Sequence, residues 1–507
     1  MSNSNIQYAI AAGHAITAQV AEEVLLAGGN AFDAGVAAYL VSFISEPVMA
    51  SVGAGGFANI VTREGEQFIL DFFCQTPKSQ DIVRPNYEEI VIDFGESQET
   101  FYAGPASMAV PGAIALINHL INKHCSMHLK ELVQPAQKLA TEGILYTPFQ
   151  AEDTLLLANI LTHSDHGKKL FIKDGKLITD GDRFRLPSYA DFLESFAREK
   201  GDWFYRGEIA QTVSEYSKDN GGFLRYNDFE DYRITKTNPF NFSLGDRRIS
   251  VPSLPSMGGG LMNLFLEQFE KSSKQSQTIQ KLSNLHYRAL RASFENANKY
   301  AKDANHLAQK IREKDAHYSI PENTKTIIPN GTSHFNILDK YGNGISLSTS
   351  IGEGSSYFIP GTDMHMNNML GETALMPNGL NSWSPNTRLN SMMCPTLVFD
   401  QKNQLVLLTG SGGSTRIPFS LAQLLINRYQ LKMNLNDSIH APRIFESDEQ
   451  IYAEKGYEIQ PSLDDKRLIE WEGLELLFGG THTIDLESNE AIGDKRREGC
   501  GIIKFND

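Results

Sequence analysis

The sequence predicts an α+β fold in which antiparallel hairpins alternate with paired helices. Two observations carry this. Residues 57–72, 335–350 and 397–408 each read as strand, polar turn and returning strand. Between and before them lie amphipathic or small-residue stretches with helix caps and glycine stops. The pattern is consistent with two antiparallel sheets between helical layers.

The first helix follows from Ile16, Val20 and Val24, spaced four apart and stopped by Gly28-Gly29. Asn30 with Asp33 three residues on predicts a cap for a second helix over residues 31–44. Its Ala31, Ala34, Gly35, Ala37 and Ala38 allow close packing on a sheet. The glycine cluster Gly53-Ala54-Gly55-Gly56-Phe57 lacks the lysine and serine/threonine pair of a phosphate loop and leads into the first hairpin. A helix is expected near Ala113, another at Leu132-Val133-Gln134-Pro135-Ala136, and mostly helix over residues 150–200. Residues 271–280 are a polar Ser/Gln/Lys run and read as a solvated loop. Residues 352–357 read as a mobile loop. The last hairpin ends in Thr409-Gly410-Ser411-Gly412-Gly413-Ser414-Thr415-Arg416, followed by a helix to about Tyr429.

Composition narrows the function. The 507 residues can bury a large core, and 41% apolar with 21% charged residues is ordinary for a globular protein. A net charge of −15 argues against nucleic acid or an anionic membrane as the main partner. Cys74, Cys125, Cys394 and Cys500 are widely spaced, neither a disulfide framework nor a zinc pattern. His14, His124, His128 and His334 show no metal-ligand spacing, and no cofactor is expected. The chain opens Met1-Ser2-Asn3-Ser4-Asn5, without a basic region or an apolar segment, and holds no apolar run of about eighteen residues. The expectation is a cytoplasmic protein, or a periplasmic one if a signal has been removed.

One stretch admits two readings. Asn330-Gly331-Thr332-Ser333-His334-Phe335 joins a polar loop at 321–329 to a half-buried strand. It can be the entry turn of a hairpin. It can also present a nucleophile, because a threonine made N-terminal by cleavage carries a hydroxyl beside an α-amine titrating near ~8. The glycine before it lets the hydroxyl reach the preceding carbonyl.

With the following Asp339-Lys340-Tyr341-Gly342-Asn343, this stretch resembles the small-subunit start of the γ-glutamyltransferase (glutathione hydrolase) family. Further resemblance lies in Gly28-Gly29-Asn30-Ala31-Phe32-Asp33-Ala34, Gly53-Ala54-Gly55-Gly56-Phe57, Pro252-Ser253-Leu254-Pro255-Ser256-Met257-Gly258 and Gly410-Ser411-Gly412-Gly413-Ser414. It spans nearly the whole chain in the family order. The resemblance implies a four-layer αββα sandwich of the N-terminal-nucleophile type. It implies cleavage into residues 1–331 and 332–507, which stay together as a heterodimer and one structural domain. It also implies an enzyme that hydrolyses or transfers a small-molecule γ-glutamyl amide.

By the same resemblance Thr332 is the nucleophile, with Gly413 and Ser414 as the amide pair facing the oxyanion. Ser350 falls where a threonine bonds the nucleophile's amine, and Glu372 and Ser391 fall in the substrate subsite. The acyl reader departs from the family. Ile82 stands near the position of the arginine that clamps the α-carboxylate, with Arg84 the nearest arginine and Lys78 and Arg388 as other cations. Gly352, Met369 and Met392 replace polar residues. Two alternatives follow: a cephalosporin-acylase-like or other acyl-amide hydrolase with a more apolar pocket, and a catalytically silent scaffold.

Overall fold

The computed structural model describes residues 5–93, 98–199, 202–275, 331–373, 375–376, 379–446, 450–457 and 467–506. The loop expected at 321–329 lies outside them.

Strand β1 (Ile6–Ala12) leads into helices α1 (Ala15–Leu26) and α2 (Ala31–Ser45). Strands β2 (Gly55–Val61) and β3 (Gln67–Asp71) form the first hairpin. After a largely helical segment come β4 (Thr235–Thr237), β5 (Phe240–Leu244), β6 (Arg247–Val251) and helix α3 (Gly258–Gln275). Then follow β7 (Thr332–Asp339), β8 (Gly344–Ser350), β9 (Thr396–Phe399) and β10 (Leu405–Gly412). Helix α4 (Ile417–Leu425) and strands β11 (Gly480–Asp485), β12 (Glu490–Ile492) and β13 (Cys500–Phe505) complete the frame.

These strands make two antiparallel sheets. The first has seven strands in the order β4-β3-β2-β8-β7-β1-β13, and the second has six, β5-β6-β9-β10-β11-β12. Helix α2 lies against β7 and β8, which face β10 of the second sheet; α4 lies on β10, with α3 beside it.

Helix α2 holds the nucleophile strand in place. Asn30 accepts from the Phe32 and Asp33 amides while Asp33 accepts from Asn30 N, the predicted capping box. All fifteen helix residues are buried, as its small side chains permit. At one end Asp339 of β7 accepts from Ala31 N at 2.9 Å; at the other Ser333 of β7 donates to Glu46, the helix's last cap, at 2.8 Å. A fifteen-residue helix is about 22 Å long and six strand residues span about 20 Å, so both ends meet without strain.

Strand β7 is buried along its whole length, not half-buried as its alternation suggests. Phe335 and Ile337 belong to the core that includes α2. The other face carries His334 and Asn336 yet turns toward the second sheet, where Asn336 donates to His482 O at 2.9 Å. Its neighbour Ser346 donates to Thr409 O at 3.1 Å. A polar inter-sheet layer looks like a solvent face when only the sequence is read.

Three local expectations are corrected. Residues 271–275 are the last turn of α3 and not a loop; the rest of that polar run lies outside the described residues. The helix placed at Leu132 begins three residues earlier, spanning Leu129–Glu142 with Pro135 inside it. Residues 352–357 are buried: Asn368 Oδ1 accepts from the Glu353 and Gly354 amides, and His365 accepts from Ser356 N. A loop whose amides are satisfied by buried side chains is fixed, whatever its glycine content.

Candidate active site

Thr332 opens β7 and is paired directly with Ser350, the last residue of β8. Gly413 follows the last residue of β10, so both sheets deliver residues to the same end of the stack. There a cleft of about 400 Å³, counted to its open mouth, is lined by Thr332, Ser350, Glu372, Ser391 and Ser414. Five of the six residues singled out from sequence thus share one cleft, and Gly413 is adjacent in the chain to Ser414.

The Gly331–Thr332 peptide is held tightly. Ser350 donates its hydroxyl to Gly331 O at 2.6 Å and accepts from Gly352 N at 2.9 Å. On the far side Arg497 Nη1 donates to Thr332 O at 3.1 Å. A Cβ at Gly331 would stand 2.9 Å from Val48 O and 3.0 Å from Gly352 O, so only glycine fits without movement.

Gly413 (φ 117°) and Ser414 (φ 52°) both have left-handed backbone. That conformation is strained for serine. It places two successive amides just before a 3-10 turn at Ser414–Arg416 and helix α4. These amides precede the first helical turn, on the side where a helix N-terminus favours negative charge.

Behind the threonine lies a buried charge cluster that the sequence did not signal. Glu46 accepts from Ser333, and Arg497 interacts electrostatically with Glu46 and Asp153. Burial raises the Glu46 and Asp153 carboxyls to about 7, with Arg497 pulling both down. His334 is also buried; burial lowers its pKa to about 3, then the neighbouring His482. It is therefore neutral, and its Nδ1 lies 2.8 Å from Ser348 Oγ.

The rest of the cleft wall is apolar: Phe73, Leu375, Met369, Met392, Met393 and Ile417. None of the cations named from sequence lines it. Arg388 pairs with Asp71 at 3.3 Å, donates to Phe73 O at 2.8 Å and stacks over Tyr232. Lys78 pairs with Asp231, and Arg84 is exposed. Ile82 packs at the edge of the second core cluster. Ser391 accepts from Met393 N at 3.1 Å, leaving its hydroxyl proton to donate.

Comparison with known proteins identifies the family. The family model described as Gamma-glutamyltranspeptidase matches residues 17–502. The glutathione hydrolase proenzyme of Bacillus subtilis (strain 168) is 25% identical over 97% of this chain and 88% of its own length. Glutathione hydrolase 2 of Arabidopsis thaliana is 28% identical, covering 84% of this chain and 78% of that protein. The acylase ACY 1 proenzyme of Pseudomonas sp. (strain SE83) is 25% identical, covering 86% and 82%. In fold, the chain is similar to the cephalosporin acylase from Bacillus halodurans, with a TM-score of 0.78 over 98% of this chain and 96% of that one at 22% identity. A match running from the first helix to the last strand settles the family: this chain is an enzyme that belongs to the γ-glutamyltranspeptidase family.

Proposed function

We propose that the chain is a self-processing amidohydrolase or acyltransferase whose nucleophile is Thr332. The observation that carries this reading is the hydrogen bond from Ser350 to the Gly331 carbonyl, next to a cleft that Thr332 and Ser414 both line. Helix α2, two facing sheets and helix α4 follow one another in the order expected of the four-layer αββα sandwich, which is how we read the fold.

In the processing step the Thr332 hydroxyl attacks the Gly331 carbonyl carbon. Ser350 faces the oxygen on which charge develops. The C–N bond breaks, the nitrogen takes the proton, and an ester joins Gly331 to Thr332. Water hydrolyses it, leaving the Gly331 carboxylate and a Thr332 bearing a free hydroxyl and α-amine. The fragments, 1–331 and 332–507, stay associated because the first sheet interleaves them: β7 lies between β8 and β1, and β8 pairs with β2.

In turnover the α-amine takes the hydroxyl proton and the oxygen attacks the substrate's amide carbonyl. The Gly413 and Ser414 amides donate to the oxyanion, one such donor contributing roughly 3–4 kcal/mol. The leaving amine takes the proton, and water or an acceptor amine then breaks the ester. A γ-glutamyl amide is the substrate class that the family suggests. The apolar wall and the distant arginines favour a second reading, an acylase-like enzyme with altered acyl specificity.

The test is to quench the protein during turnover of acyl p-nitroanilides and map the adduct by mass spectrometry. The acyl group is expected on the peptide that starts at Thr332. An adduct on another residue overturns the proposal.

A further inference from the structure

Strand β7 outruns its neighbour β1 at the Thr332 end. β1 stops at Ala12, and its chain bonds His334 O through Gly13 N at 3.2 Å before turning into α1. Alternate carbonyls of a strand face the same edge, so Thr332 O points to that side too, beyond the end of β1. Arg497 supplies the donor that a strand would have given: its Nη1 lies 3.1 Å from Thr332 O.

The arginine reaches this oxygen through a slot between two glycines. Gly412 of β10 and Gly480 of β11 are paired in register. A Cβ at Gly412 would overlap Thr332 O and stand 2.6 Å from Arg497 Nη1, and one at Gly480 would stand 2.6 Å from Arg497 Cδ. A side chain at either position would displace the guanidinium or the strand. The root of the arginine is fixed as well. It ends a 3-10 turn, Lys495–Arg497, whose cap Asp494 accepts from Arg496 N at 3.0 Å and pairs with Arg443 at 2.7 Å. Arg497 is 2% exposed, a costly place for a guanidinium that its interactions with Asp153, Glu46 and Asp494 offset in part.

The cut changes what this contact is for. In the uncut chain the Thr332 peptide continues into Gly331, whose carbonyl Ser350 holds at 2.6 Å. Cleavage gives that carbonyl to the other fragment, and a strand that begins at its own nucleophile is prone to fray from its first residue. The pairing with Ser350 remains on one edge, and Arg497 holds the other. The bond falls on the carbonyl oxygen, so the freed α-amine keeps its lone pair for the hydroxyl proton. The slot also ties Thr332 to β10, whose last residue, Gly412, precedes the Gly413 and Ser414 amides.

We propose that Arg497 is a positioning residue for the freed nucleophile: it stands in for a missing strand at Thr332 O and holds the new N-terminus in register with the Gly413 and Ser414 amides. This rests on Thr332 being the nucleophile. Arg497 acts through Thr332, so its effect falls on the rate of attack and not on substrate binding.

The experiment compares wild type with Arg497→Met, using γ-glutamyl and butanoyl p-nitroanilides and mapping the acyl adduct. Methionine keeps a stem in the slot without the donor. Self-cleavage should stay within about threefold of wild type, because the uncut peptide has its other holds. In the cut protein the maximal acylation rate, read from the first burst of p-nitroaniline, should fall about tenfold to a hundredfold, while the half-saturating concentration stays within about threefold. Hydrogen exchange at the Ser333 and His334 amides should quicken, with the rest of β7 unchanged. A brace for the whole fold would not produce this split. Acylation of Thr332 at the wild-type rate overturns the anchor and leaves the nucleophile reading intact. A methionine variant that stays uncut, or that loses binding as much as rate, does the same. An acyl group on another residue of wild type, or a wild type that stays uncut, overturns both readings. If neither anilide acylates the cut wild type, exchange decides: quickening confined to the Thr332 end supports the anchor, and no change overturns it. If Arg497→Met does not fold, Gly480→Ala is read by the same criteria, because its methyl group pushes the arginine stem aside and leaves the charge in place.

Discussion

The Ser350 hydroxyl stands 2.6 Å from the Gly331 carbonyl oxygen, across the antiparallel pairing of Ser350 with Thr332. A donor on that oxygen stabilises charge only when the carbonyl is attacked. Ser350→Ala should therefore slow self-cleavage by about a hundredfold to a thousandfold. Ser350→Thr, which keeps the hydroxyl, should stay close to wild type. Cleavage of the alanine variant at the wild-type rate, followed on gels over time, would remove Ser350 from the mechanism.

Thr332→Ala should abolish both self-cleavage and turnover, because one hydroxyl serves both steps. Thr332→Ser should keep a measurable part of each. If the alanine variant is still cut after Gly331, the nucleophile is elsewhere, with Ser333 the first residue to test. The Ser333 hydroxyl, however, points away toward Glu46.

Buried Glu46 makes a prediction about pH. Burial raises its carboxyl to about 7 in the folded protein from about 4.5. The folded state then binds a proton that the unfolded chain has released. This contribution to stability is complete below about pH 4.5 and is lost as pH rises to about 7. At about 1.4 kcal/mol per pH unit the loss is roughly 3 kcal/mol. Glu46→Gln keeps an acceptor for Ser333 but does not titrate. Urea unfolding should show its stability gaining on wild type between pH 5 and 8, whereas parallel curves would place the proton elsewhere.

Glutathione should be a poor substrate. Its γ-glutamyl α-carboxylate meets Glu372 and an apolar wall, and Arg388 is spent on Asp71 and the Phe73 carbonyl. Losing a charge-assisted bond costs roughly 1.5–3 kcal/mol, so kcat/KM should fall about tenfold to a hundredfold below that of a descarboxy analogue. A strong preference for the intact γ-glutamyl group would mean that another cation reaches the cleft.

The parts of the site that were legible in the sequence sit in local motifs. Thr332 follows a glycine at a strand start, and Gly413-Ser414 lies between a strand and a helix. Asn30 and Asp33 announce the helix that anchors β7. What was not legible depends on distant partners. Arg497 reaches Thr332 from 165 residues away, with no spacing to mark it. Glu46 ends a nearly apolar run, a weak signal that only its bond to Ser333 explains. Glu353 sits in a glycine-rich stretch that reads as a loose loop until Asn368 and His365 are seen to fix it. The strand carrying Thr332 looks half-solvated because its polar face meets a second polar sheet face.

The central claim is that Thr332 is freed by cutting its own chain. The direct measurement is the intact mass of the freshly purified active protein, with the N-terminal residue of each fragment identified. Two fragments of 331 and 176 residues, roughly 37 and 20 kDa, are predicted, the smaller beginning at Thr332. A single uncut chain of 56.4 kDa that turns over an acyl amide would contradict it.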